Sequence, residues 1–241
     1  MGLFASALEL AREIYEYCEG NCKTEKNMYI LCMNNVANAL TCAGDRESKE
    51  EAEGIYRKSL TLSQEVYGEE DSNTWVNMNN LAVLLRGKGD AESLKEAAEL
   101  YKNALELSEK VLGKKHPDTA AIYNNIATFE ASQGDYAKAM EWYEKALAIR
   151  ETVLGKEHPS TAMTYNNIAV VYRDQGDYVK AIEYCKKALE IREKVLGTNH
   201  PDTLDSMYGL AKLLEDKGDA QSLKEAEELW LKIKDIKSKT K

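Results

Sequence analysis

Four positions in this chain carry side chains that can bond a peptide backbone at a regular spacing. Asn35, Asn80, Asn125 and Asn167 each stand nine residues before a Gly-Asp pair, and Gly209 takes the fifth such place. A carboxamide offers donors and an acceptor together, so it can pair with a peptide unit without reading its side chain. Residues four before and three after each of these positions share its face if the segment is helical. Those faces read Leu31/Asn35/Asn38, Val76/Asn80/Val83, Ala121/Asn125/Thr128, Met163/Asn167/Val170 and Asp205/Gly209/Lys212. Two readings compete. In one, the amides form a ladder that tracks an extended segment; in the other, they satisfy neighbouring helices or face water. Asn34, Asn79, Asn124 and Asn166 lie about 100° further round a helix and suit packing between repeats.

Other reactive residues carry less. His116, His158 and His200 recur every 42 residues, but equivalent places in stacked helices should lie about 10 Å apart. Metal ligands must sit within about 2 Å of the ion, so these histidines read as link residues before proline, and no metal site is expected. Cys32 and Cys42 are too far apart along one helix to share an ion, and Cys18 and Cys22 form a weak oxidisable pair. Five cysteines without paired spacing suit a reducing, cytoplasmic setting. No Gly-rich phosphate loop, HExxH or nucleophile elbow occurs. No catalytic residue and no cofactor are therefore expected, and the chain does not read as an enzyme.

The elements that position these residues repeat. Gly44-Asp45, Gly89-Asp90, Gly134-Asp135, Gly176-Asp177 and Gly218-Asp219 are spaced 45, 45, 42 and 42 residues apart. Ala37, Ala82, Ala127, Ala169 and Ala211 follow the asparagine series at a constant offset. Each unit reads as two helices. In one, Tyr165, Ile168, Ala169 and Tyr172 keep helical spacing, and in the next Ala181, Cys185, Ala188, Leu189 and Ile191 form the inner side. The glycine suits a left-handed helix end and the aspartate a cap for the next helix. Units are joined by LGKKHPDTA, LGKEHPSTA and LGTNHPDT, and by YGEEDSNT, where Asp71 or Ser72 can cap. The longer units carry three extra residues after Gly-Asp, giving Ser48-x-x-Glu51, Ser93-x-x-Glu96 and Ser222-x-x-Glu225. This pattern predicts a lengthened turn with serine as the cap.

Period, small positions and Gly-Asp turn together resemble the tetratricopeptide repeat. The longer unit, the LGxxHPxT link and the paired asparagines are similar to the kinesin light chain type. The resemblance covers about residues 25–241 as five units. It implies an all-α, right-handed superhelical α-solenoid of antiparallel helix pairs in 42–45-residue units. First helices, expected near 25–43, 72–88, 117–133, 159–175 and 201–217, would line a concave groove that binds a peptide or partner helix. In such families the asparagine faces that groove and bonds an extended peptide. Nothing in the chain resembles the kinesin light chain heptad coiled coil, so no transport role is inferred.

The ends differ from the middle. Residues 1–20 read as a partial repeat, with Ala7-Leu8, Leu10 and Ile14 parallel to Ala188-Leu189, Ile191 and Val195 and a following connection seven residues longer than the others. Such an edge leaves Phe4 and Leu8 needing cover. At the other end Lys234 and Thr240 replace leucine and valine, as a terminal cap over 222–241 requires.

Charge narrows the partner. The chain has 241 residues, 44% hydrophobic and 30% charged, with net charge −9. That balance disfavours nucleic acid and anionic membranes, and no apolar run reaches the roughly 18 residues of a membrane span. Segments 28–43, 72–85, 119–129 and 160–172 contain no charged residue. Arg86, Arg173 and Lys212 are the cationic candidates on these faces, too few for a carboxylate clamp. The expected partner is a neutral or mixed peptide, or a helix with an apolar face. The expected function is a non-catalytic interaction module using Asn35, Asn38, Asn80, Asn125, Asn167, Arg86, Arg173 and Lys212. The alternative is a self-associating or regulatory domain of a larger sensor or effector, meeting another copy through its N-terminal edge.

Overall fold

A computed structural model of the chain describes residues 2–21 and 25–239, with side chains from residue 9 onward except 11 and 21. Cys22 and Thr240 and the side chains of Phe4, Ala7 and Leu8 lie outside the described residues. Two units result. The first, Met1–Lys114, holds α1 (Gly2–Asn21), α2 (Lys26–Ala43), α3 (Arg46–Tyr67), α4 (Ser72–Lys88) and α5 (Ala91–Val111). The second, Lys115–Lys241, holds α6 (Pro117–Ser132), α7 (Tyr136–Val153), α8 (Pro159–Asp174), α9 (Tyr178–Leu196), α10 (Pro201–Lys217) and α11 (Ala220–Lys239). Among the described residues the secondary structure is wholly helical, and no helix is long and apolar enough to cross a membrane.

Consecutive helices in each unit run antiparallel because their links are short. The Gly-Asp turn sets the geometry. Gly176 takes φ +80°, a conformation that a Cβ disfavours, and Asp177 then accepts the Lys180 N–H at 3.1 Å. Replacing Gly176 with alanine should cost about 1 kcal/mol, read as a lower urea midpoint with unchanged helicity.

Asp45, Asp90 and Asp219 cap the longer second helices in the same way, accepting the backbone N–H of Ser48, Ser93 and Ser222. This overturns the expectation that serine is the cap and the insertion a longer turn. Aspartate caps both unit lengths one residue after the glycine, and the extra residues lie within the helix. Serine instead sits at the third helical position, and the Ser48 and Ser222 hydroxyls donate back to their capping carboxylates. Asp219 is held down at about 2 by the Ser222 N–H, then the Ser222 hydroxyl and Lys217. A carboxylate whose folded pKa is depressed stabilises fully above its unfolded pKa of about 4, and that contribution is lost as pH falls through the folded value. Amide protection of the first turn of α11, corrected for intrinsic exchange, should therefore hold from pH 7 to 5 and decline between pH 4 and 2.

The links between repeats are held by their histidine, proline and threonine. His116, His158 and His200 cap the next helix through Nδ1, accepting the N–H two residues on at 3.1–3.2 Å. Proline follows at the first helical position, where its missing N–H costs nothing. In the YGEEDSNT link Asp71 is the cap. The Thr74 and Thr161 hydroxyls close the loop on the Gly68 and Gly155 carbonyls at 2.7 and 2.9 Å.

Packing rests on small residues. Ala37, Ala82, Ala127, Ala169 and Ala211 on first helices are at most 2% exposed, as are Ala52, Ala97, Ala139, Ala181 and Ala226 on second helices. Paired alanines let the backbones approach, and tyrosines fill the flanks; Ala127, Ala139 and Tyr143 share one core and Ala169 and Ala181 another. Within each unit polar side chains tie second helices to the first helix that follows. In the first unit buried Asn77 donates to the Ser63 and Ser59 hydroxyls. In the second, Arg150 donates to the Thr164 hydroxyl and Ser160 carbonyl at 2.7 and 2.8 Å, and Arg192 likewise to Ser206 and Asp202.

The same contacts fix the register of α1. Arg57–Glu96, Lys186–Glu225 and Glu193–Lys232 join residues 39 apart on successive second helices, and Arg12–Glu51 and Glu19–Lys58 repeat that spacing. Cys32 meets the Ile14 carbonyl as Asn77 meets that of Ser59. Ile14 is thus the counterpart of Ser59 and of Ala188, not of Val195. The expected alignment was wrong by two helical turns, and the supposed longer connection disappears. The apolar pattern alone permits both because a shift of seven residues restores the same helical face.

Candidate functional site: the first-helix faces

In the first unit α2 and α4 both pack on α3 and present the expected asparagines. Asn35 is exposed and Asn80 half-buried, and neither amide makes a side-chain hydrogen bond among the described residues. Around them Leu31 is 61% and Val76 36% exposed. Asn38 is already used: its Oδ1 accepts the Tyr56 hydroxyl at 2.6 Å. Burial pushes the Tyr56 phenol up to about 12, so it remains a donor across the neutral range. Arg86 lies half-buried near the end of α4, with its Nε buried and no hydrogen-bond partner for that atom among the described residues.

In the second unit Asn125 and Asn167 are half-buried. Asn167 donates through Nδ2 to Asn124 Oδ1 at 3.2 Å, tying α8 to α6. Asn124 therefore packs between repeats, and Asn167 spends a donor on the fold. Thr128 meets the Tyr143 hydroxyl at 2.9 Å, a contact of the same type as Asn38–Tyr56. Met163 and Val170 are each 38% exposed beside Asn167. Arg173, the sequence equivalent of Arg86, is exposed and doubly bonded to its neighbour Asp174. Lys212 is exposed on α10 near Asp205 and Gly209 in sequence. The named residues thus divide. Asn35, Asn80 and Arg86 keep polar atoms with no hydrogen-bond partner among the described residues. Asn38, Asn167 and Arg173 are at least partly committed within the chain.

Sequence reasoning missed Arg150 and Arg192. Arg150 is 2% exposed, and burial pushes its guanidinium down to about 10. It sits in the last turn of α7, where the helix dipole favours a cation. Its partners are neutral oxygens, so its role is to hold α7 to α8.

Profiles of the tetratricopeptide repeat match residues 90–152, 118–181 and 160–229, and another matches 30–73. The chain belongs to the tetratricopeptide repeat family. The repeats mark it as a protein–protein interaction scaffold, in a family that is typically non-catalytic. Its fold is that of kinesin light chain-type arrays. The crystal structure of BtubC (BKLC) from P. vanneervenii superposes with a TM-score of 0.69 at 23% identity, covering 98% of this chain and 90% of that one. Kinesin light chain-like, nearly identical TPR-like repeats from Podosopora anserina give a TM-score of 0.60 at 24% identity, covering 98% and 96%. A second crystal structure of those repeats gives 0.61 at 24% identity, covering 98% and 95%. No curated protein matches.

Proposed function

We propose that this tetratricopeptide array binds a neutral or mixed peptide, or the apolar face of a partner helix, along its first-helix faces. The observation that carries this reading is the state of Asn35 and Asn80. Both keep their amides unbonded among the described residues, on helix faces that hold apolar side chains and no charge over 28–43 and 72–85. An unspent carboxamide amid exposed aliphatic surface suits an extended backbone, with apolar contacts supplying affinity. Arg86 adds one cation at the end of α4, able to meet a carbonyl or a single acidic side chain. In the second unit Asn125 and Asn167 serve that unit's own first-helix face with less freedom, since Asn167 also ties α8 to α6.

The test is a peptide array probed with the intact chain and with Asn35→Ala/Asn80→Ala. Peptides retained by the wild type should be lost by the double variant and kept by Asn167→Ala/Arg173→Ala at more than half the signal. Equal retention by wild type and the Asn35/Asn80 variant would remove the first-helix mechanism.

A further inference from the structure

The register of α1 exposes a second surface. Leu10 corresponds to Ile55 and Ile14 to Ser59 in the next repeat. Ile55 is 4% and Ser59 0% exposed, with α2 packed on α3 and Asn34 accepting the Ser59 hydroxyl. On α1 no first helix plays that part among the described residues, and Leu10 and Ile14 are 55% and 44% exposed. Together with Met28, Leu31 and Cys32 they line an apolar groove of about 440 Å³ between α1 and α2. Positions that are buried under a helix one repeat later are open here, so the groove has the place and lining of a seat for one helix.

Charge selects the occupant. Glu9, Glu13 and Glu16 are exposed and form a stripe at i, i+4 and i+7 directly beside Leu10, Ile14 and Tyr17. The facing stretch of α2 over 28–43 has no charge to answer them. A second copy docking isologously through this edge would bring further carboxylates to an acidic rim. We propose that the α1–α2 groove seats an amphipathic helix of a partner protein, apolar on one face and rich in lysine or arginine along the flank that meets Glu9, Glu13 and Glu16. The groove shares Leu31 and Asn35 with the α2 face proposed above but not Asn80 of α4, so Asn80→Ala separates the failure of one reading from the failure of the other.

The experiment is selection from a displayed library of amphipathic helical peptides on the intact 241-residue chain, with counter-selection on Leu10→Lys. Selected peptides should carry Lys or Arg beside their apolar stripe. They should bind Leu10→Lys at least about tenfold more weakly than wild type, and should bind Glu9→Gln/Glu13→Gln/Glu16→Gln several-fold more weakly with a flatter salt dependence. Asn80→Ala should leave them unchanged. All the substituted α1 side chains are exposed, and unchanged circular dichroism confirms that the variants fold. Selection of no binder, of binders indifferent to Leu10→Lys, or of acidic peptides would overturn the proposal. So would a wild-type dimer in light scattering that Leu10→Lys dissolves, since that assigns the groove to a second copy.

Discussion

Replacing Arg150 with alanine is expected to cost about 3 kcal/mol in urea unfolding, and a second change should restore much of it. The loss has two sources. The side chain is almost fully buried, so truncation leaves a cavity. It also removes the bonds to the Thr164 hydroxyl and Ser160 carbonyl that hold α8 against α7. The first unit shows another solution at the corresponding contact: a small Ser63 faces a larger Asn77, bonded directly. Arg150 and Thr164 invert the sizes. Arg150→Ser combined with Thr164→Asn should therefore form the first-unit contact inside the second. Each single change should destabilise, Arg150→Ser by a cavity and Thr164→Asn by overpacking against the arginine. The double variant should recover about 2 kcal/mol relative to the sum of the two. Simple additivity would mean that the two residues do not form one packing unit.

That pair also shows where sequence reading stops. The helical fold was legible because several independent signals agree: the Gly-Asp turn, the alanine series, the proline at helix starts and the period itself. Asp177 could be read as a cap because aspartate after glycine has few other uses. The Ser63, Ser108, Arg150, Arg192 series looks like tolerant surface variation. It becomes a core contact only once Asn77, Thr164 and Ser206 are seen opposite three of its members. The inserted residues misled for a related reason. Ser48-x-x-Glu51 is a good capping box in isolation, but Asp45 lies nearer the turn and takes the N–H of Ser48 first. In α1 the apolar pattern fits two registers seven residues apart, and the ion pairs of Arg12 and Glu19 together with the Cys32–Ile14 contact choose between them.

The asparagine series was legible as a periodic feature but not as a set of separate roles. Four identical amides in equivalent places suggest one task, whereas their surroundings assign them differently. Asn167 reaches Asn124 on the preceding first helix, and Asn38, a neighbour of Asn35 on its face, is held by Tyr56. The asymmetry yields the second large effect. Asn35→Ala/Asn80→Ala should weaken a bound peptide by about 2 kcal/mol, roughly thirtyfold, if each amide contributes about 1 kcal/mol of hydrogen bonding. Stability should change little, because neither amide bonds to the rest of the described chain. Asn167→Ala should do the reverse, lowering stability by about 1 kcal/mol through the lost contact to Asn124 while reducing affinity less.

Isothermal titration of one array-selected peptide into wild type, Asn35→Ala/Asn80→Ala and Asn167→Ala, paired with urea unfolding of the same samples, tests the first-helix mechanism most directly. The predicted result is a roughly thirtyfold loss of affinity at unchanged stability for the Asn35/Asn80 variant, with Asn167→Ala losing stability more than affinity. An Asn35/Asn80 variant that binds the peptide as tightly as wild type would contradict that mechanism.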